Sequence, residues 1–191
     1  MKGKKLILFV VGLSLCFSLY YFCIYNSTSD LNVNSSYISY DNINELDKAA
    51  DLIIVASTDQ NFENRLHKAK YFSDGALEDF YSVTNVKVYK VLKGADGIKN
   101  GSDLNIIEPA SLIQTATGKQ RLLRDDYQPL EKNKHYILFL KKNDSGQYSI
   151  INMNLGKFDL SYKNLKLNTA TKTDKFMKDV FEKYKSELSE Y

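Results

Sequence analysis

From Leu6 to Tyr25 the chain runs for 20 residues without a charge, and Lys2, Lys4 and Lys5 stand just before that run. This constrains the chain more than any other feature, because about 20 apolar residues in a helix match the hydrocarbon thickness of a bilayer. A cleavable export signal has a shorter core, of about 7–15 residues. Tyr20, Tyr21, Phe22 and Tyr25 at the far end have the composition of an interfacial aromatic belt, and the lysines stay cytoplasmic by the positive-inside rule. Residues 1–25 therefore read as an uncleaved signal anchor, a single pass with the C-terminal domain outside. Ser27 and Ser29 offer small residues at the two positions a signal peptidase reads, so secretion after cleavage before Asp30 stays open as the alternative.

Setting this segment aside changes the charge balance. The chain carries a net +3, but residues 30–191 hold 23 basic and 23 acidic side chains. A neutral body without a basic stripe gives no purchase on phosphates, which excludes nucleic acid as a partner. Cys16 and Cys23 both lie in the apolar run, behind Leu15 and Phe22, where lipidation requires a small residue; each reads as one more apolar residue of a membrane helix. The body has no thiol, hence neither a disulfide framework nor a thiolate metal site, and core packing has to stabilise it. Abundant Lys, Asn, Ile and Tyr with no Trp resembles the residue usage of low-GC bacteria.

Residues 26–42 are polar turn formers and read as a tether, leaving 43–191 as a single domain. Asp41 or Asn42 caps a short helix carrying Ile43, Leu46 and Ala50 on one face. Strands follow at 51–57, at 80–92 with a bulge near Thr84 and Asn85, and at 104–108, ended by Pro109. A central strand at 136–140 turns through Asn143–Gly146 into another at 148–152, and 158–160 and 165–167 suit short edge pieces. Thr173 or Asp174 caps an amphipathic helix over 173–190, with Phe176, Val180, Phe181, Tyr184 and Leu188 as its apolar stripe. Five strands, the second long and bulged, predict a mainly β fold built on a small five-stranded barrel of the OB type, with a small sandwich as the alternative.

Ala50-Asp51-Leu52-Ile53-Ile54-Val55-Ala56, then Tyr81 through Lys93-Gly94, then Leu130 to Leu140 resembles the netrin-module family, which includes the tissue inhibitors of metalloproteinases and many small exported bacterial proteins. The resemblance covers about residues 47–160 and implies the OB-like barrel. It implies no site residue. The animal inhibitors chelate the protease zinc through an N-terminal Cys, and this body has none.

No catalytic, metal or cofactor set can be assembled. His67 sits in a polar segment expected to be exposed, His135 reads as a structural histidine, and neither belongs to a ligand pattern. No Gly-x-Ser-x-Gly elbow or phosphate loop is present. Asp125-Asp126 lacks EF-hand spacing and reads as a solvated turn. The stretch between Pro109 and His135 has no evident strand or helix, and so long a loop points to function. Its Leu122, Leu123, Arg121, Arg124 and Tyr127 have the composition of a binding surface, the alternative being a plug for the barrel end. A second insertion, 59–79, places Phe62, Leu66 and Ala69 at helical spacing. The expected function is a non-enzymatic exported binding module at the outer face of a bacterial membrane, held there through residues 6–25, with an extracytoplasmic protein as partner. A protease inhibitor of netrin type acting without an N-terminal Cys is the alternative.

Overall fold

The computed structural model describes residues 2–94, 97–163 and 171–190. It opens with helix α1 (Lys2–Tyr20), continued by a π-helical turn over Tyr21–Tyr25. Together Gly3–Tyr25 makes 23 residues, long and apolar enough to cross a membrane and not buried against the rest of the chain. Strand β1 (Thr28–Val33) and helix α2 (Ile43–Ala49) follow, then β2 (Leu52–Ser57), β3 (Leu66–Tyr71), β4 (Leu77–Lys93), β5 (Asp103–Glu108), β6 (Ala110–Thr115) and β7 (Gly118–Arg124). Then come β8 (His135–Lys142), β9 (Tyr148–Ile150), β10 (Lys157–Asp159) and helix α3 (Lys172–Lys183). Asn42 caps α2 by accepting from the Glu45 N–H, and Thr171 caps α3 by accepting from the Asp174 N–H.

β2, β4, β5, β9 and β8 close into a five-stranded barrel in that order, β8 returning to β2. β5 and β9 pair in parallel over two residues, and the other four pairings are antiparallel. This is an OB-like barrel. β4 is long enough to serve two neighbours along one edge, β3 beside its first half and β2 beside its second. Leu52, Ile54, Val86, Val88, Ile106, Leu138 and Leu140 fill the interior. Ile53, Val55, Ile137 and Phe139 point outward from the same β2 and β8 and are buried under α2 and α3, beside Leu46, Phe176, Val180 and Leu188. Two buried faces explain why these strands are continuous apolar runs. The stripe expected on the C-terminal segment lies in this outer core, although the helix ends at Lys183 and turns carry 184–190.

Gly94 accounts for two of the residues behind the netrin-module resemblance. Its φ is +78°, and a Cβ there would lie 2.3 Å from the Asp51 carbonyl oxygen, so only glycine lets the end of β4 pass the start of β2.

Four expectations are corrected. Residues 28–33 are not slack tether but β1, paired in parallel with β7. The stretch after Pro109 is not a structureless loop; β6 and β7 form a tight hairpin across Ala116 and Thr117, and β1, β7 and β6 make a second, three-stranded sheet. The 59–79 insertion is not helical at Phe62, Leu66 and Ala69: a 3₁₀ turn at Phe62–Asn64 leads into β3, where exposed Leu66 alternates with inward, mostly polar residues, Arg65, His67 and then Ala69, before β4 begins at Leu77. β4 keeps its alternation through Ser82, Thr84, Val86 and Val88, all buried; its register shifts lie on either side of that stretch, near Leu77–Asp79 opposite β3 and further on opposite Ile53–Ala56 of β2. The edge piece expected at 165–167 lies outside the described residues, and β10 falls at the one expected near 158–160.

Candidate functional site

The five residues singled out by the sequence divide by burial. Leu122, Leu123 and Tyr127 are 1%, 3% and 0% exposed, and Leu123 and Tyr127 belong to the barrel core. β7 carries Leu122 and Leu123 on opposite faces, so the pair is covered from both sides. The Tyr127 hydroxyl donates to Glu108 Oε2 at 2.8 Å, and the Lys157 ammonium sits 5.3 Å from its ring centre. Burial, the adjacent Glu108 charge and that hydrogen bond push the Tyr127 hydroxyl well above its ordinary pKa, and burial holds the Lys157 ammonium below the lysine range. Leu123 and Tyr127 thus pack into the barrel core, while Leu122 is buried on the other face of β7. The two arginines remain at the surface, each in an ion pair of 2.6 Å, Arg121 with Asp30 and Arg124 with Asp79.

Glu108 organises the hydrogen bonds around Tyr127. Its carboxylate, fully buried, accepts from Arg65 Nη1 at 2.6 Å, the Thr84 hydroxyl, the Tyr127 hydroxyl and the Leu130 N–H. Arg65 also donates to the Leu130 and Gln60 carbonyls, while its Nε lacks a partner. Four donors on one carboxylate leave it no lone pair for chemistry. His67 is equally committed. It is half-buried rather than exposed, its Nδ1 accepts from the Leu112 N–H at 3.0 Å, and its Nε2–H donates to the Phe62 carbonyl at 2.8 Å. Burial lowers its pKa, favouring the neutral ring. Asp125 and Asp126 form a turn, Asp126 exposed and Asp125 half-buried, that also holds residues 32–35: Asp125 accepts from the Ser35 N–H and hydroxyl, and Asp126 from the Asn32 amide. Among the described residues no three His, Cys, Asp or Glu side chains are grouped to hold a metal ion.

Arg124 leads to a cleft. About 400 Å³ lies between the first half of β4, the ends of β5 and β7, and the β8–β9 turn, lined by Phe80, Tyr81, Ile107, Arg124, Gln147 and Ser149 among others. It follows from the topology. β5 ends at Glu108 opposite Ser82, so the stretch of β4 before Ser82 has a strand neighbour only on the β3 side. There side chains meet the main chain of Phe80 instead of a strand: Asp79 Oδ1 accepts its N–H at 2.9 Å, and the Arg124 guanidinium stands 3.5 Å from its carbonyl. The same guanidinium lies 5.1 Å over the Phe80 ring, an arrangement that favours a cation. The Asn143–Gly146 turn walls the opposite side, its Asn143 side chain accepting from the Ser145 and Gln147 N–H groups. Of the sequence candidates only Arg124 lines this cleft; Asp79, Phe80, Gln147 and Ser149 went unnoticed because they are distant in sequence and individually ordinary.

No protein-family model matches the sequence, and no curated protein matches it at a significant level, so the reading of this site rests on its geometry.

Proposed function

We propose that the chain is a membrane-anchored, non-enzymatic binding module whose barrel stands outside the cytoplasm and takes an extended segment of an extracytoplasmic protein into the cleft beside Phe80. The observation that carries this reading is the open edge of β4, where one ion pair stands in for a missing strand. An extended peptide satisfies such an edge by main-chain hydrogen bonding, with neighbouring pockets taking its side chains. Gln147 and Ser149 bring polar groups to the same cleft, and Arg124 brings a cation able to exchange Asp79 for a carboxylate of the incoming segment. The absence of catalysis is supported by the structural commitments of Glu108 and His67. A protease is one protein that such a cleft admits, but the netrin-module resemblance stays at the level of the fold, since core strands and the Gly94 approach account for its residues.

A photoreactive phenylalanine analogue at Gln147 tests this in intact cells. It is expected to form adducts absent when the same analogue replaces exposed Lys87, and to lose them when Arg124→Glu reverses the cleft charge. Equal labelling from both positions, or labelling indifferent to Arg124→Glu, would overturn the proposal.

A further inference from the structure

The apolar helix and the β6–β7 hairpin are built against each other. The Tyr20 hydroxyl donates to the Ala116 carbonyl at 2.7 Å, the Gln114 side-chain amide donates to the Tyr25 carbonyl at 3.0 Å, and the Lys119 N–H donates to the Ser27 carbonyl at 2.7 Å. Gly118 makes the approach possible. Its φ is +123°, and a Cβ there would lie 2.6 Å from Ser27 Oγ and 3.0 Å from the Ile24 carbonyl. Three hydrogen bonds and one obligatory glycine fix the height of the hairpin along the helix.

That height is low. Tyr20 lies five residues before the end of the apolar helix, about 7 Å back along its axis at the helical rise. The 23 residues of Gly3–Tyr25 slightly exceed what the hydrocarbon layer needs, which puts the cluster Tyr20–Tyr25 in the headgroup zone that tyrosines favour. The hairpin tip reaches back to this level, with Ala116 and Thr117 exposed and no acidic side chain between Gln114 and Arg121. The first charged side chain above the tip is that of Lys119, of the sign that anionic headgroups attract.

We propose that the tip of the β6–β7 hairpin is a second membrane contact, seated in the lipid headgroup layer of the leaflet from which the anchor emerges. The proposal rests on residues 3–25 spanning that membrane, and a depth measurement separates the two. The full chain, with Cys16 and Cys23 replaced by Ala, is reconstituted into vesicles of phosphatidylcholine and phosphatidylglycerol. An environment-sensitive fluorophore is attached at Ala116→Cys, at Ser145→Cys in the cleft, or at Val11→Cys inside the helix. Ser145 is the distant reference, because it lines the cleft with Arg124, six residues of extended chain or about 20 Å from Gly118. Lipids brominated near the headgroup are expected to quench the Ala116→Cys label at least threefold more than the Ser145→Cys label, while deep bromines quench the Val11→Cys label. Adding Gly118→Val, which forces the hairpin off the helix, is expected to abolish the excess. Equal quenching at 116 and 145 with the helix label still quenched overturns the hairpin contact alone; loss of quenching at Val11→Cys overturns the anchor and the contact together.

Discussion

Arg65 and Arg121 each hold a carboxylate at 2.6 Å, and their surroundings are opposite. Arg65 and Glu108 are fully buried at the barrel end, where every other lone pair of the carboxylate is also taken. Arg121 and Asp30 tie β7 to β1 with side chains 35% and 48% exposed, in a sheet that faces water at most of its β1 positions. Two desolvated charges are tolerable only while each satisfies the other, whereas a solvated pair returns to water at little cost. The barrel is thus held by interactions that fail together, and the small sheet by interactions that fail one at a time.

Glu108→Ala provides the largest test of that difference. It strands the Arg65 charge along with the Thr84, Tyr127 and Leu130 donors, and is expected to remove about 3–5 kcal/mol in denaturant titration of the detergent-solubilised chain. Replacing both partners, Arg65→Met with Glu108→Leu, should cost less than the single change. Leu123→Ala comes next. It lies in the small sheet by pairing but in the barrel core by packing, and a loss of roughly 2–5 kcal/mol is expected; a loss below about 1 kcal/mol would mean that the hairpin contributes nothing to that core.

A smaller effect is expected at the join between the two regions, where His67 of β3 accepts from the Leu112 N–H of β6. Its pKa is lowered in the folded state, chiefly by burial, so the unfolded chain takes up the proton first. Stability from this group is complete above about pH 6.5 and is lost as pH falls below that value toward the lower folded pKa. The protection factor of the Leu112 amide, its exchange rate corrected for the intrinsic pH dependence, should fall as pH drops through that window, and His67→Gln should flatten the response. The smallest effect is at the exposed pair, since Asp30→Ala should cost under about 1 kcal/mol and vanish in high salt.

The barrel was legible because β2, β5, β8 and β9 bury apolar side chains in short runs bounded by turn residues, and the Asn143–Gly146 turn carries its glycine at φ +78°. The small sheet was not. β1 reads Thr-Ser-Asp-Leu-Asn-Val, a composition with no strand pattern, and it is a strand because β7 offers it a parallel partner about 90 residues away. The hairpin did leave one local signal, Thr117-Gly118 beside residues that alternate, but Leu122-Leu123 broke the alternation by being buried on both faces. The cleft left less still, because it is defined by where β5 stops relative to β4, a property of register rather than composition.

The parallel pairing of Thr28–Val33 with Lys119–Arg124 also fixes where the proposed cleft stands relative to the apolar helix. Seventeen slack residues would let a domain roam over roughly 20–25 Å about its anchor, diluting it through a hemisphere. Zippered to β7 and latched through Ser35 to Asp125 and Tyr40 to Asn152, this chain gives up that freedom. On the proposed reading, a partner embedded in the same bilayer with its binding segment at matching elevation would meet the cleft by lateral diffusion at a high effective concentration, while one at the wrong elevation would not engage it however well its sequence fits.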